Sequence, residues 1–182
     1  MKLNEKTLNK KIVFEGKLIS IRHDEVEFPN QELAIREVVE HPGGVSVAMC
    51  NEQGQFFMVS QYRYAQQKVL LEFPAGKLEY GEDAFEAAKR EIVEETGYSA
   101  KEYVYLGKMI PTGAYLEEKI EMYYAHVDEY KGQNLDQDEF INVSMKTIDE
   151  LVAMIMNKEI EDGKTIAMTF MIKEIMAREK KK

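Results

Sequence analysis

The chain has 182 residues, a formal net charge of −9 and 45% hydrophobic residues, enough apolar material for the core of one ordinary domain. That charge, with only Lys180-Lys181-Lys182 locally basic, argues against nucleic acid as a partner, because no basic stripe exists to release counterions. No apolar run approaches the ~18 to 20 residues of a membrane span, MKLNEKTLNKK lacks the apolar stretch of a signal peptide, and Cys50, the single cysteine, permits no internal disulfide, so a cytoplasmic protein without a membrane partner is expected.

In chain order, Lys11 to Arg22 and Ile35 to Val39 read as strands, His41-Pro42-Gly43-Gly44 as a turn, and Val45 to Cys50 as an apolar strand whose cysteine belongs to the core. Gln55 to Tyr62 follows an Asn-Glu-Gln-Gly turn, and Val69 to Phe73 is a short apolar run ended by Pro74. That run delivers a loop containing Gly76. Gly81, Glu82 and Asp83 then lead into helix formers from Ala84 to Glu95, which Gly97 stops as the residue just past a helix end. Glu102 to Met109 and Lys119 to Val127 have strand character and are joined through Pro111-Thr112-Gly113. Thr147 and Glu150 form a capping box that opens a helix to about Lys158, and Thr165 to Arg178 is a second amphipathic helix. No repeat or low-complexity linker interrupts the chain.

The helix from Ala84 carries the chemistry. At about 100° per residue, Glu91, Glu94 and Glu95 share an arc with Ala84, Ala87 and Ala88, while Phe85 and Ile92 occupy a neighbouring stripe. Like charges at this spacing cost about 0.2 to 0.5 kcal/mol each, and negative charge at a helix C-terminus opposes the macrodipole by about 0.3 to 1 kcal/mol. A solvated acidic face balanced by Arg90 is the ordinary outcome for a Glu-rich helix. The Gly-flanked loop before it favours another: clustered carboxylates are the hard oxygen ligands that Mg²⁺ or Mn²⁺ accepts, with substrate phosphates completing the shell.

Gly76, Glu82, Arg90, Glu91, Glu94, Glu95 and Gly97, with aliphatic Ile92 between them, occupy every fixed position of the pattern Gx5Ex7REUxEExGU. Chance coincidence of such a set is on the order of one window in a hundred million at ordinary residue usage. The chain resembles the Nudix hydrolases, and HPGGVSV, VSQYRYA, LLEFPAGKLEYGE and EKIEMYYA resemble their ADP-ribose pyrophosphatase branch. The resemblance implies an α/β/α sandwich around a mixed sheet with an N-terminal strand extension. It further implies one catalytic domain over residues 1–182, with a dimerising strand region at 1–43 and a core at 44–182 whose box spans 76–98. A proline turn also follows the box in that branch; here Pro111-Thr112-Gly113 brings the proline two residues early.

The same resemblance assigns roles. Glu91 and Glu95 are implied as metal ligands with Glu94 beside them, together with the backbone carbonyl of Ala75; Arg90 orients Glu94, and Glu82 reaches the metal through water. Arg36 and Arg63 match positions that contact the diphosphate, against the plain alternative of surface arginines paired with acids. Glu72 matches a position that recognises adenine or supports arginine contacts, unless it is simply an exposed strand end. The branch draws its general base from a late acidic loop, here Leu135 to Phe140, where Glu139 ranks ahead of Asp138 and Asp136. Glu94 counts among the catalytic carboxylates as well. With no nucleophilic Ser or Cys in the box, water is the expected nucleophile. His23, His41 and His126 lack metal-ligand spacing.

The expected activity is thus divalent-metal-dependent hydrolysis of ADP-ribose to AMP and ribose 5-phosphate by a homodimer. Two alternatives stay open. One is a Nudix hydrolase of another nucleoside diphosphate derivative, such as a GDP-sugar, a dinucleotide or an oxidised nucleotide; the other is a catalytically silent nucleotide-binding module.

Overall fold

The stretch expected as one strand from Lys11 to Arg22 folds instead as a hairpin in the computed structural model, which describes residues 3–137 and 139–179. Strands β1 (Lys6–Glu15) and β2 (Ser20–Glu27) run antiparallel, and Gly16 N donates to Ile19 O at 2.9 Å to close the turn. A Cβ at Gly16 would stand 2.9 Å from that carbonyl oxygen. Only a glycine accepts so close an approach, and one glycine within apolar residues is easily passed over as strand interior.

With β3 (Leu33–Glu40) these strands form a three-stranded sheet in the order β1-β2-β3. Its centre is ionic: Arg22, only 6% exposed, meets Asp24 at 2.9 Å and Glu40 and Glu117 at 2.6 Å each. Three carboxylates around one guanidinium satisfy its donors, the condition under which a buried charge is tolerated. Glu117 comes from Ile110–Lys119, which belongs with the residues up to Gly43 to one compact unit. Val39 N donates to Tyr115 O at 2.7 Å there. The Pro111-Thr112-Gly113 turn is therefore part of this unit.

The second unit comprises Gly44–Met109 and the chain from Ile120 onward. It contains β4 (Gly44–Cys50), β5 (Gln55–Arg63), β6 (Lys68–Glu72), β7 (Ala75–Lys77), α1 (Ala84–Thr96), β8 (Tyr98–Met109), β9 (Ile120–Tyr130), β10 (Ile141–Thr147), α2 (Ile148–Met156) and α3 (Gly163–Glu179). The sheet order is β10-β5-β4-β9-β8, with β6 on β5 and β7 on β4. Strands β4 and β9 are parallel, whereas the other pairings are antiparallel. The sheet is mixed.

Alternation along β4 divides the core. Val45, Val47 and Met49 pack with Ala87, Ala88 and Ile92 of α1, while Ala48 and Cys50 pack with Leu151 of α2 and with Met168 and Ile172 of α3. All seven residues of this strand are buried, as a strand covered by helices on both faces requires. The α/β/α sandwich expected from the sequence is the observed architecture.

Candidate active site

Strand β7 brings the loop backbone to the acidic helix. Val47 N and Ser46 Oγ both donate to Pro74 O, at 2.9 and 3.0 Å, and β7 pairs with the start of β4 from Gly44 to Ser46. Ala75 is thereby pinned against α1, where its N–H donates to Oε2 of Glu95 at 2.9 Å. A Cβ at Gly76 would lie 1.8 Å from Cδ of Glu91. The first glycine of the box is thus the residue that lets Glu91 lie over the loop backbone. Glu91 is the far end of a flexible side chain, so Gly76→Ala is expected to keep the fold while displacing this carboxylate. With Glu91 read as a metal ligand, activity should fall about 10- to 100-fold, the range for a disturbed metal site. Kinetics beside a circular-dichroism melt test this, and a fully active Gly76→Ala protein contradicts it.

Helix α1 is cut to length by its caps. Asp83 accepts from Phe85 N and Glu86 N at the start, and Gly97, at φ +80°, donates to Val93 O at the end. Near the end of the helix stand the carboxylates. Arg90 grips Glu82 with Nε and Nη2 at 3.0 Å each, and its Nη1 reaches Glu91 and Glu94, each at 2.9 Å. One guanidinium therefore organises three acids of the box, rather than Glu94 alone. Glu95 escapes Arg90. It is 2% exposed, and burial, with the charges of Glu91 and Glu139 adding to it, pushes its carboxyl up to about 8 against the Ala75 hydrogen bond. Burial also raises Glu91, opposed by Arg90.

Among the described residues no three acidic, His or Cys side chains are arranged to hold an ion unaided. The three-carboxylate platform read from the sequence is therefore not preformed, although a hard divalent cation can take one or two carboxylates and leave the rest of its shell to water and substrate phosphates. Glu95 lies against the Ala75 N–H and Glu91 over Gly76, so two carboxylates face one loop, and a carboxylate buried with no cation of its own is the chemistry that such a metal satisfies.

The loop after β9 is stapled to the end of α1. Asn134 N donates to Glu94 O at 3.0 Å, Gln133 Nε2 to Glu95 O at 2.5 Å, and Lys131 N to Gly97 O at 2.7 Å. These donors take up carbonyls that a helix terminus leaves unsatisfied and oppose the clustered negative charge. Beyond them Glu139, its N–H on Asp136 O at 3.0 Å, is near enough to raise the carboxyls of both Glu91 and Glu95. Asp138 lies outside the described residues.

Arg63 and Glu72 meet as a fork: Nε to Oε1 at 2.7 Å and Nη2 to Oε2 at 2.8 Å. Glu72 is not an exposed strand end; it is 1% exposed. Burial acts to raise its carboxyl, but Arg63 and Lys164 outweigh this and hold it at about 2, from an ordinary 4.5. Stability from this group is therefore complete above pH 4.5 and is lost as pH falls towards 2. Unfolding midpoints measured across that window should fall with pH in the wild type and less steeply in Glu72→Gln; parallel curves contradict this. Lys164 escaped the sequence reading, since nothing local marks a lysine at a helix start as buried. Arg36 belongs to the first unit, where it forks onto Glu5 at 2.7 and 2.9 Å and stands 4.9 Å over the Phe28 ring.

Fold and site together are those of a carboxylate-box enzyme built on an α/β/α sandwich. The NUDIX domain profile matches residues 40–168, and that of the nucleoside diphosphate sugar hydrolase N-terminal domain matches residues 5–39. The chain belongs to the Nudix family. It is 37% identical over 166 residues to an ADP-ribose pyrophosphatase of Bacillus subtilis, covering 90% of this chain and 89% of the relative. It is also 38% identical over 164 residues to a methanol dehydrogenase activator of Bacillus methanolicus, with 89% of each chain covered. The crystal structure of an ADP compounds hydrolase superimposes with a TM-score of 0.86 at 19% identity, covering 98% of both chains, which establishes the shared fold.

Proposed function

We propose that the protein hydrolyses the pyrophosphate bridge of ADP-ribose, giving AMP and ribose 5-phosphate, with Mg²⁺ or Mn²⁺ at the box. The observation that carries this reading is the buried Glu95, set against the Ala75 backbone and within the fields of Glu91, Glu139 and Arg63. A diphosphate is a dianion and the chain carries −9, so cationic groups must receive it before any bond changes. A divalent cation supplies charge neutralisation and acidifies water. The chain's own part is divided among named residues. Glu91 and Glu95, with Glu94 beside them and the Ala75 carbonyl, would hold the ion, while Arg63 offers Nη1, which has no hydrogen-bond partner among the described residues, to the phosphates. Glu139 takes the proton of the attacking water as its oxygen bonds to phosphorus and the bridging P–O bond breaks.

A second reading, a different nucleoside diphosphate sugar, draws on the profile matched by residues 5–39. A panel of ADP-ribose, GDP-mannose, NADH, diadenosine polyphosphates and nucleoside triphosphates, assayed with each metal, separates the two. Binding without turnover of any member would favour a silent module instead.

The reading includes a homodimer in which the N-terminal strands complete the partner's nucleotide site and bring Arg36 to it. Support comes from the first unit, where Ile12, Phe14, Leu33 and Ile35 are each about half exposed or more. A concavity of about 750 Å³ is lined there by Val13, Ile21, Ile35, Arg36 and Tyr115. Apolar surface of this kind is normally covered. Sedimentation at micromolar concentration should give twice the chain mass; a fully active monomer rules this out. The cytoplasm, without nucleic-acid or membrane partners, suits a free, buried Cys50 thiol, and no helix among the described residues is long and apolar enough to cross a membrane.

A further inference from the structure

Next to the box lies a buried ionic cluster that the metal chemistry does not require. Lys164, in the first turn of α3, is 5% exposed, and its Nζ donates to Oε2 of Glu72, the same oxygen that receives Nη2 of Arg63. Asp162 pairs with Nζ at 3.0 Å and also accepts from Thr165 N at 2.9 Å and Thr165 Oγ1 at 2.6 Å, so the two cations Arg63 and Lys164 are balanced by the two carboxylates of Glu72 and Asp162. Thr165 Oγ1 in turn accepts from Phe73 N at 3.0 Å. The run Asp162 to Thr165 is thus docked on the chain segment, Glu72 and Phe73, that leads to Ala75 and Gly76. Buried ion pairs contribute little net stability compared with apolar packing, so a lysine here calls for a reason other than stability.

We propose that Lys164 is a positioning residue for substrate binding, which by sharing Oε2 of Glu72 fixes that carboxylate, and through it the Arg63 guanidinium, so that Nη1 is left for the diphosphate. Without Lys164 the carboxylate of Glu72 would be fixed by Arg63 alone, and the bond from Nζ to Oε2 gives it a second anchor. Arg63 then keeps its fork geometry, with Nη1 free among the described residues, while its field still reaches Glu95. The lysine touches neither phosphate nor metal in this scheme; it acts through Glu72.

The inference rests on the reading of Arg63 as a diphosphate contact. The test is steady-state kinetics with ADP-ribose and Mg²⁺ on the full chain, comparing wild type, Arg63→Ala, Lys164→Met, Lys164→Arg, Glu72→Gln and the double variant Lys164→Met/Glu72→Gln. Lys164→Met should raise KM about tenfold with kcat changed less than about threefold, a loss of binding rather than of chemistry. Lys164→Arg should restore KM to within about threefold. In the Glu72→Gln background the lysine change should have no further effect, the non-additivity expected of residues acting through one another. A lysine that serves stability alone would lower the melting temperature and leave KM untouched, which overturns the proposal. If Lys164→Met does not fold, the double variant decides: KM within about twofold of Glu72→Gln supports the proposal, and a further tenfold rise defeats it. A wild type that does not turn over ADP-ribose shows the substrate reading at fault before any variant is compared. A KM unmoved by Arg63→Ala removes the contact itself, and the inference falls with it; a KM raised by Arg63→Ala but not by Lys164→Met rejects the lysine's role alone.

Discussion

Glu95→Gln is expected to lower kcat by at least about 10³-fold, roughly 4 kcal/mol of transition-state stabilisation, while the protein still folds. Glutamine is close to isosteric, and its side-chain oxygen still accepts from Ala75 N, so the contact at 2.9 Å that pins β7 to α1 survives. What disappears is the anionic donor. The effect on stability has a definite sign. Burial raises the folded carboxyl of Glu95 to about 8, so in the metal-free protein its contribution is complete below the unfolded value of 4.5 and is lost as pH rises through 8. The metal-free Glu95→Gln protein should therefore be at least as stable as the wild type above pH 8, and should lose less stability between pH 4.5 and 8. Kinetics paired with melts taken in chelator test both halves. Retention of more than about a tenth of wild-type kcat contradicts the assignment of Glu95 as a metal ligand.

Glu139→Gln should reduce kcat by about 10² to 10⁴-fold, the usual contribution of a general base, with little change in Mg²⁺ affinity. The residue sits on a loop tied by Asn134 and Gln133 to the last turn of α1, so a base there would be held to the helix that carries Glu91 and Glu95. A metal ligand would behave differently from a base. If Glu139→Gln weakens Mg²⁺ binding strongly, the side chain belongs to the ion's shell. If it changes neither quantity, the proton goes to Asp136 or Asp138, or to no residue of this loop. Titration of Mg²⁺ against activity distinguishes these outcomes in one experiment.

The helix of the box was legible in the chain because its information is local. Asp83 and Gly97 mark its ends, and 100° periodicity gathers Glu91, Glu94 and Glu95 on one arc with Ala87 and Ala88, although the fold buries those two alanines with Ile92 against the sheet. The capping box of Thr147 and Glu150 was equally plain and forms as read. Contacts between distant segments were not legible. Nothing near Val39 announces pairing with Tyr115, and nothing near Lys164 announces a carboxylate ninety-two residues earlier in the chain. Charged residues are usually solvated, so a strand-end glutamate and a helix-start lysine read as surface until the fold encloses them together. The hairpin at Gly16 was missed for a different reason: apolar residues on both sides of the turn hide the break. Arg63 pairs with an acid, Glu72, and its Nη1 has no hydrogen-bond partner among the described residues.

The most direct test of the whole account is product analysis of purified protein incubated with ADP-ribose, with and without Mg²⁺, against GDP-mannose at matched concentration. Equimolar AMP and ribose 5-phosphate, formed only when the cation is present and faster than any products from GDP-mannose, is the expected result. GDP-mannose cleaved as fast or faster contradicts the substrate assignment and leaves the family intact, whereas AMP formed at full rate in excess chelator contradicts the role given to Glu91 and Glu95.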